Sequence, residues 1–150
     1  MKNTIDILLI LIPSLVMSTI TFSSEESNPN LHQTTSLSIN NHKIVVEVAD
    51  NEKLRALGLM FRDSIKSNQG MLFIYQSSNL HCMWMKNTLI PLSVAFIDKN
   101  YKIINIKSMK PLDQTPHCSI SPAKFALEMN YGWFKKNKIL PGQKVYGINN

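Results

Sequence analysis

Gly70-Met71-Leu72-Phe73-Ile74-Tyr75 is a short apolar run that lies between two polar, turn-prone segments, 64–69 and 76–79. A run of this length with such flanks predicts a buried β-strand. Further strands are predicted over 82–86, 92–98 and 101–107. Asp98-Lys99-Asn100 turns the chain between the last two, which makes them a hairpin. The centre of the chain is therefore predicted to be a sheet.

The N-terminal side of this centre predicts a second hairpin and a short helix. Segment 36–40 alternates polar and apolar residues, and segment 43–49 is rich in β-branched residues. They are joined by Asn40-Asn41-His42, a sequence that suits a positive φ. Asp50 can then cap a helix over 51–57, and Gly58 supplies its end.

The C-terminal side begins with a loop over 110–122, because three prolines interrupt it. Over 125–130 a helix and a strand compete, and the alternation of large apolar residues favours the strand. A short helix over 131–138 and a strand over 144–148 complete the prediction. Together the segments predict a mainly β fold, an antiparallel sandwich or barrel-like domain with one or two short helices. A more helical α+β fold is the alternative.

The N-terminus predicts export. Residues 1–23 combine Lys2, an interrupted apolar run and a polar exit, which is the layout of a secretory signal peptide. An uncleaved membrane tether is the alternative. Residues 24–36 are almost all polar and are predicted to be a flexible leader. Residues 37–150 then form a single β-rich domain, placed in the periplasm or outside the cell.

The formal net charge of the chain is +6. A basic exported domain is attracted to anionic envelope polymers or lipid head groups by its long-range field. Solubility alone is an equally good reason for the charge. The cations are scattered and lack interleaved aromatic residues, so nucleic-acid binding is not expected. The domain is expected to be a monomer.

The two cysteines, Cys82 and Cys118, predict a covalent bond. An exported chain with an even number of cysteines favours a disulfide, and two cysteines allow one intramolecular pairing. This bond would tie the proline-rich loop to the strand over 82–86. In the chain-entropy model, closing a loop of about 37 residues stabilises the fold by roughly 3 to 4 kcal/mol.

Two alternatives based on sulfur remain open. Thiolate, thioether and imidazole groups suit Cu(I) or zinc, and the candidate ligands are His81, Cys82, Met83, Met85, His117 and Cys118. Neighbouring side chains on a strand point to opposite faces, so these groups cannot all converge, and the two methionines are expected to pack in the core. In the other alternative, one cysteine is a nucleophile that the histidine beside the other cysteine activates. The disulfide is favoured over both alternatives, so no metal, no cofactor and no catalytic residue is predicted.

A second set of candidate residues does not depend on sulfur, and its members are Arg62, Lys86, Asn87, Thr88 and Glu128. Lys86 and Asn87 precede the Ile90-Pro91 turn, where they could line a pocket mouth and bind an anionic or hydroxylated ligand. Turn hydrogen bonds to the backbone are the alternative for Asn87 and Thr88, and a structural ion pair is the alternative for Arg62 with Glu128. Trp84 is the aromatic candidate for this pocket, although the core is its favoured place.

Several strings of the chain together resemble a known family: Gly58-Leu59-Met60-Phe61-Arg62, Gly70-Met71-Leu72-Phe73, Trp84-Met85-Lys86-Asn87-Thr88-Leu89-Ile90-Pro91-Leu92 and Ala126-Leu127-Glu128, with Gly132 and Gly142. Their order and spacing are similar to those of the domain of unknown function 192 family, also called uncharacterised protein family 0127. The resemblance implies a compact, mainly β fold of sandwich type, frequent in exported proteins. It implies no established activity and no site residues.

These observations lead to three functional hypotheses. The first is a secreted, non-catalytic binding or accessory module of the cell envelope, whose partner is an anionic envelope polymer or a small polar ligand. The second is a small envelope hydrolase or transferase that acts on a polar substrate. The third is a soft-metal-binding protein, which only the sulfur cluster supports.

Overall fold

The computed structural model describes residues 33–148. The predicted signal peptide and residues 24–32 of the predicted leader lie outside the described residues. Within the described range the elements are β1 (Thr34–Ile39), β2 (His42–Ala49), α1 (Glu52–Leu57), β3 (Gln69–Asn79), β4 (Cys82–Met83), β5 (Leu92–Ile97), β6 (Ile103–Met109), β7 (His117–Cys118), β8 (Ala123–Asn130), α2 (Trp133–Lys136) and β9 (Val145–Tyr146).

Seven of these strands form one sheet in the order β6-β5-β8-β3-β2-β1-β9. Neighbouring strands are antiparallel except β2 and β3, which run parallel with α1 in the connection between them. The sheet curls until β9 also meets the start of β6, where the Val145 amide donates to the Tyr101 carbonyl at 2.8 Å. The mainly β prediction is therefore confirmed in its barrel-like form, as a curled half-barrel.

The two faces of the sheet carry separate cores. Because side chains alternate along a strand, Phe125, Leu127 and Met129 of β8 pack into one cluster together with α2 and β9. Ala126 packs into the other cluster, which is covered by segments around α1 and between β4 and β5. Glu128 lies two residues after Ala126 on the same strand, so its side chain points to this second face as well.

Local turn chemistry explains where several elements begin and end. The β1–β2 hairpin turns at Asn40 and Asn41, with φ values of 46° and 65°. Helix α1 is capped by Asn51 and not by Asp50 as predicted, since the Asn51 side chain accepts a hydrogen bond from the Leu54 amide at 2.9 Å. Strand β1 begins at Thr34, so residues 34–36 of the predicted leader belong to the sheet.

The predicted strand over 82–86 is wrong beyond Met83. The Met85 amide donates to the Asp113 carbonyl at 2.8 Å, and the Thr88 amide donates back to the Met85 carbonyl at 3.1 Å. Asn87, at φ 55°, completes the resulting turn. The segment therefore folds as a loop against the proline-rich segment. The predicted strand over 125–130 is confirmed as β8, and the helix over 131–138 is shortened to the four residues of α2.

Candidate functional site

A cleft of about 150 Å³ opens on the second face of the sheet. Helix α1 and the turn after it form one side, β3 forms the back, and the segment 82–88 forms the other side. The lining residues are Arg55, Ala56, Leu57, Gly58, Leu59, Met60, Phe73, Tyr75, Cys82, Met83, Trp84, Thr88 and Glu128. Most of the lining side chains are apolar, but polar atoms make up the larger part of the exposed surface of the cleft.

Glu128 is the acidic residue among those that line the cleft, and its side chain is 3 % exposed. Its position on β8 lies opposite Met71 of β3 and Val94 of β5, so its strand neighbours on both sides are apolar. Within residues 33–148 no group donates a hydrogen bond to the Glu128 carboxyl. Burial raises the pKa of this carboxyl to about 8, because removal from water disfavours the charged form.

Tyr75, at the outer end of the apolar run of β3, places a hydroxyl group in the same cleft. This hydroxyl donates to the Met83 sulfur at 3.2 Å. Burial, and then the negative charge of Glu128, raise the pKa of Tyr75, while the positive charge of Arg55 opposes them. The tyrosine therefore lies within electrostatic range of both charged groups of the cleft.

The Arg55 side chain is held at the edge of the cleft by two backbone carbonyls. Its guanidinium donates to the Asp50 carbonyl at 2.7 Å and to the Ile74 carbonyl at 2.9 Å. Neither Tyr75 nor Arg55 was predicted as a site residue. The sequence signal for Tyr75 was its position, because it shares the parity of Met71 and Phe73 and so points to the same face as Glu128.

The aromatic wall of the cleft is Trp84. The prediction of a core position for this residue is wrong, because its side chain is 50 % exposed. The loop after β4 turns the indole outwards, while Met85 beside it is completely buried, as predicted. The Lys86 ammonium lies 5.5 Å from the centre of the Trp84 ring, which is a cation–π contact.

The structure brings only part of the predicted ligand set together. Trp84, Thr88 and Glu128 line the cleft, and Lys86 lies over the outer wall. Thr88 is buried, and its hydroxyl donates to the Lys86 carbonyl at 3.3 Å. Asn87 has a turn role, since its carbonyl accepts a hydrogen bond from the Phe61 amide at 2.9 Å.

Arg62 does not belong to the cleft. Its guanidinium forms a bidentate ion pair with Glu47 of β2, with N–O distances of 2.5 and 2.6 Å. An ion pair of Arg62 with Glu128, the alternative to a ligand role, therefore does not form, and Arg62 pairs with Glu47 instead. The Glu128 carboxyl is thus left without that cation.

The two cysteines form the predicted disulfide. Cys82 of β4 lies directly opposite Cys118 of β7, and Cys82 also lines the cleft. Because both sulfur atoms take part in the bond, neither is available as a ligand or a nucleophile in this form of the protein. A disulfide of this kind persists in an oxidising compartment, which agrees with export. Among the described residues, no helix is long and apolar enough to cross a bilayer.

Comparison with known proteins places the fold and leaves the activity open. A model of the family DUF192, described as uncharacterised ACR, matches residues 35–147. A crystal structure from Sinorhizobium meliloti, described as a candidate transcription regulator, is 30 % identical with a TM-score of 0.75, over 77 % of this chain and 95 % of that one. A protein of unknown function from Novosphingobium aromaticivorans is 31 % identical with a TM-score of 0.69, over 76 % of this chain and 84 % of that one. No curated protein matches.

Proposed function

The chain belongs to the DUF192 family of uncharacterised proteins, and we propose that it is an exported, non-catalytic binding module whose cleft receives a small polar ligand. The observation that carries this proposal is the Glu128 carboxyl, which lines a cleft of mainly apolar side chains and has no hydrogen-bond or ion-pair partner among the described residues. Ligand sites commonly have this composition, with a few polar groups that orient the ligand between apolar walls.

The size and charge of the cleft narrow the class of ligand. Sites for drug-sized molecules occupy about 300 to 1,000 Å³, whereas this cleft measures about 150 Å³. It therefore suits one small molecule or a single unit of a polymer. An anionic polymer cannot form an ion pair with the Glu128 carboxyl, so a small polar ligand is favoured over the anionic envelope polymer.

The place of action is the second part of the proposal. The disulfide between Cys82 and Cys118 is typical of an oxidising environment, and the apolar run within residues 1–23 has the layout of an export signal. These two observations support a periplasmic or extracellular accessory protein of the cell envelope. This part is tested by fractionating the cells and measuring the number of free thiols in the recovered protein. Fully reduced protein in the cytoplasm would contradict it.

The binding proposal is tested with a cleft-filling variant. Ala56 lines the cleft on an exposed position of α1, so Ala56→Trp should block the cleft without disturbing the core. The mature protein is titrated with a panel of monosaccharides, amino acids, amines and polyols, observed by saturation-transfer NMR. A panel member should bind the wild type and lose at least tenfold in affinity for Ala56→Trp.

The matched control is Glu52→Trp, which adds the same side chain to an exposed position of α1 outside the cleft. This variant should bind as the wild type does. Binding that persists unchanged in Ala56→Trp would place the ligand elsewhere, and a panel with no bound member would contradict the proposal.

An envelope hydrolase or transferase is the second candidate, and the pKa of about 8 at Glu128 favours it. A general acid or base is most effective when its pKa lies near the working pH. Glycoside hydrolysis commonly uses two carboxyl groups, however, and Glu128 is the only carboxyl among the residues that line the cleft. Turnover of nitrophenyl esters or glycosides that Glu128→Gln abolishes would establish this alternative over the binding module.

A further inference from the structure

The Glu128 carboxyl lacks a partner that buried carboxylates normally have. A buried ionised group is usually paired with an opposite charge or held by several hydrogen bonds. Tyr75 on β3 donates to Met83, Arg55 on α1 donates to two carbonyls, and Lys86 lies over Trp84. Val94 on β5 is apolar. Among the described residues none of these groups pairs with the carboxyl.

The walls around the carboxyl are suited to a cation. Phe73, Tyr75 and Trp84 line the cleft together with Met83. The His81 ring stacks on one face of Tyr75 at 3.6 Å between ring centres, which leaves the other face of the tyrosine for a ligand. Aromatic faces attract organic cations through the negative potential above the ring. The aromatic side chains and the unpaired carboxyl therefore offer both the dispersion contacts and the counter-charge that an alkylammonium group requires.

We infer that the cleft binds a small organic ammonium group, which forms an ion pair with the Glu128 carboxylate beside the aromatic wall of Tyr75 and Trp84. This inference rests on the proposed binding function and names the chemical class of its ligand. The Arg55 guanidinium at the edge of the same cleft would in addition tolerate a ligand whose far end is anionic.

Pairing with a cation changes the protonation of Glu128. In the empty cleft at pH 7 the carboxyl is mostly protonated, because burial raises its pKa to about 8. When an ammonium group binds, the carboxyl releases its proton to the solvent and the ion pair forms. An alcohol of the same size would instead accept or donate a hydrogen bond and would release no proton. Proton release therefore separates the two ligand classes.

The experiment is calorimetric titration of the mature protein with propylammonium chloride, and with 1-propanol as the neutral analogue. In dilute phosphate at pH 7, which contains no organic ammonium, the pH change on titration should show the release of about 0.9 proton for each bound propylammonium, given a pKa of about 8. The affinity should rise about tenfold from pH 6 to pH 7 and should level off above pH 8. 1-Propanol should bind at least tenfold more weakly at pH 8.

Two variants connect these effects to the cleft. Glu128→Gln should abolish propylammonium binding and its pH dependence, while Glu52→Gln, which changes an exposed carboxyl on α1, should retain both. If Glu128→Gln does not fold, Ala56→Trp takes its place and should abolish the proton release.

The outcomes that overturn the inference differ from those that overturn the proposed function. Equal affinity for 1-propanol and propylammonium, or propylammonium binding without proton release, would exclude the ammonium pair. The ammonium pair is also excluded if propylammonium does not bind while another compound of the panel binds the wild type and fails to bind Ala56→Trp. In that case the proposed function stands. If Ala56→Trp changes no binding at all, the proposed function itself fails.

Discussion

The buried position of Glu128 suits the proposed binding function but is unfavourable for the stability of the fold. Burial of the Glu128 carboxyl at the cleft raises its pKa from 4.5 to about 8. A charged carboxylate without a partner is unfavourable in such a place, so the empty protein holds the proton at neutral pH. The cost of this arrangement should be measurable as a pH dependence of stability.

Between pH 4.5 and 8 the unfolded chain has released the Glu128 proton and the folded protein has kept it. Raising the pH through this window therefore lowers the free energy of unfolding, by up to about 1.4 kcal/mol per pH unit from this one group. Glu128→Gln should remove this contribution. Urea denaturation of both proteins at pH 5, 6, 7 and 8, with the disulfide intact, measures the difference in slope.

The control for this measurement is Glu52→Gln, because Glu52 is an exposed carboxyl on α1. It should keep the wild-type slope. The ionisable groups other than Glu128 and Glu52 are common to all three proteins, so only the difference between variants is interpreted. Parallel stability curves for wild type and Glu128→Gln would show that the Glu128 pKa is not raised.

Within the sheet, the position of Glu128 depends on how closely strand β3 approaches strand β8. Gly70 of β3 lies opposite Met129 in the antiparallel register. A β-carbon at position 70 would collide with the Glu128 carbonyl oxygen and the Met129 sulfur. Because the first of these atoms belongs to the backbone, the clash cannot be relieved by a side-chain rotation. The glycine thus permits the strand contact behind the cleft.

Gly70→Ala should therefore force the two strands apart and lower the free energy of unfolding by about 1 to 3 kcal/mol, the usual range for overpacking. The neighbouring substitution Gln69→Ala, at an exposed position of the same strand, should change it by no more than about 0.5 kcal/mol. Urea denaturation of the three proteins checks the comparison. Equal stabilities for the two variants would mean that the strands have room at Gly70.

For the whole molecule, the disulfide connects the cleft to the loop between β6 and β8. The Cys82–Cys118 bond spans 36 residues and joins β4, at the cleft, to β7, within the proline-rich segment. The Leu112 amide also donates to the Thr88 carbonyl at 3.0 Å, so backbone bonds support the same contact. One wall of the cleft is therefore held by the loop behind it.

The double variant Cys82→Ser, Cys118→Ser should lower the free energy of unfolding by about 3 to 4 kcal/mol, the chain-entropy value for a loop of this length. The midpoint of thermal unfolding should be lower in the variant than in the oxidised wild type. Adding reductant should lower the midpoint of the wild type and leave that of the variant unchanged. A variant as stable as the oxidised wild type would show that the backbone contacts suffice to hold the loop.

The strands could be predicted because their signal is local. The apolar run at 70–75 and the alternation over 125–130 each reflect burial of a face along a single segment, and both are strands in the structure. The segment after Met83 was not predictable in this way. Its loop form depends on the Asp113 carbonyl, which is distant in sequence and accepts from the Met85 amide.

The candidate site divides in the same manner. Residue types alone identified Glu128, Trp84 and the two cysteines as candidates for binding or covalent chemistry, and they also predicted the mainly β class. Polarity, alternation and cysteine count are properties of the chain, so they can be read without the fold. Only the tertiary structure decided which groups meet. It paired Arg62 with Glu47, turned Trp84 outwards and brought Tyr75 to the buried carboxyl of Glu128. Such contacts join residues far apart in sequence, whose distance is set by strand register and by the curl of the sheet.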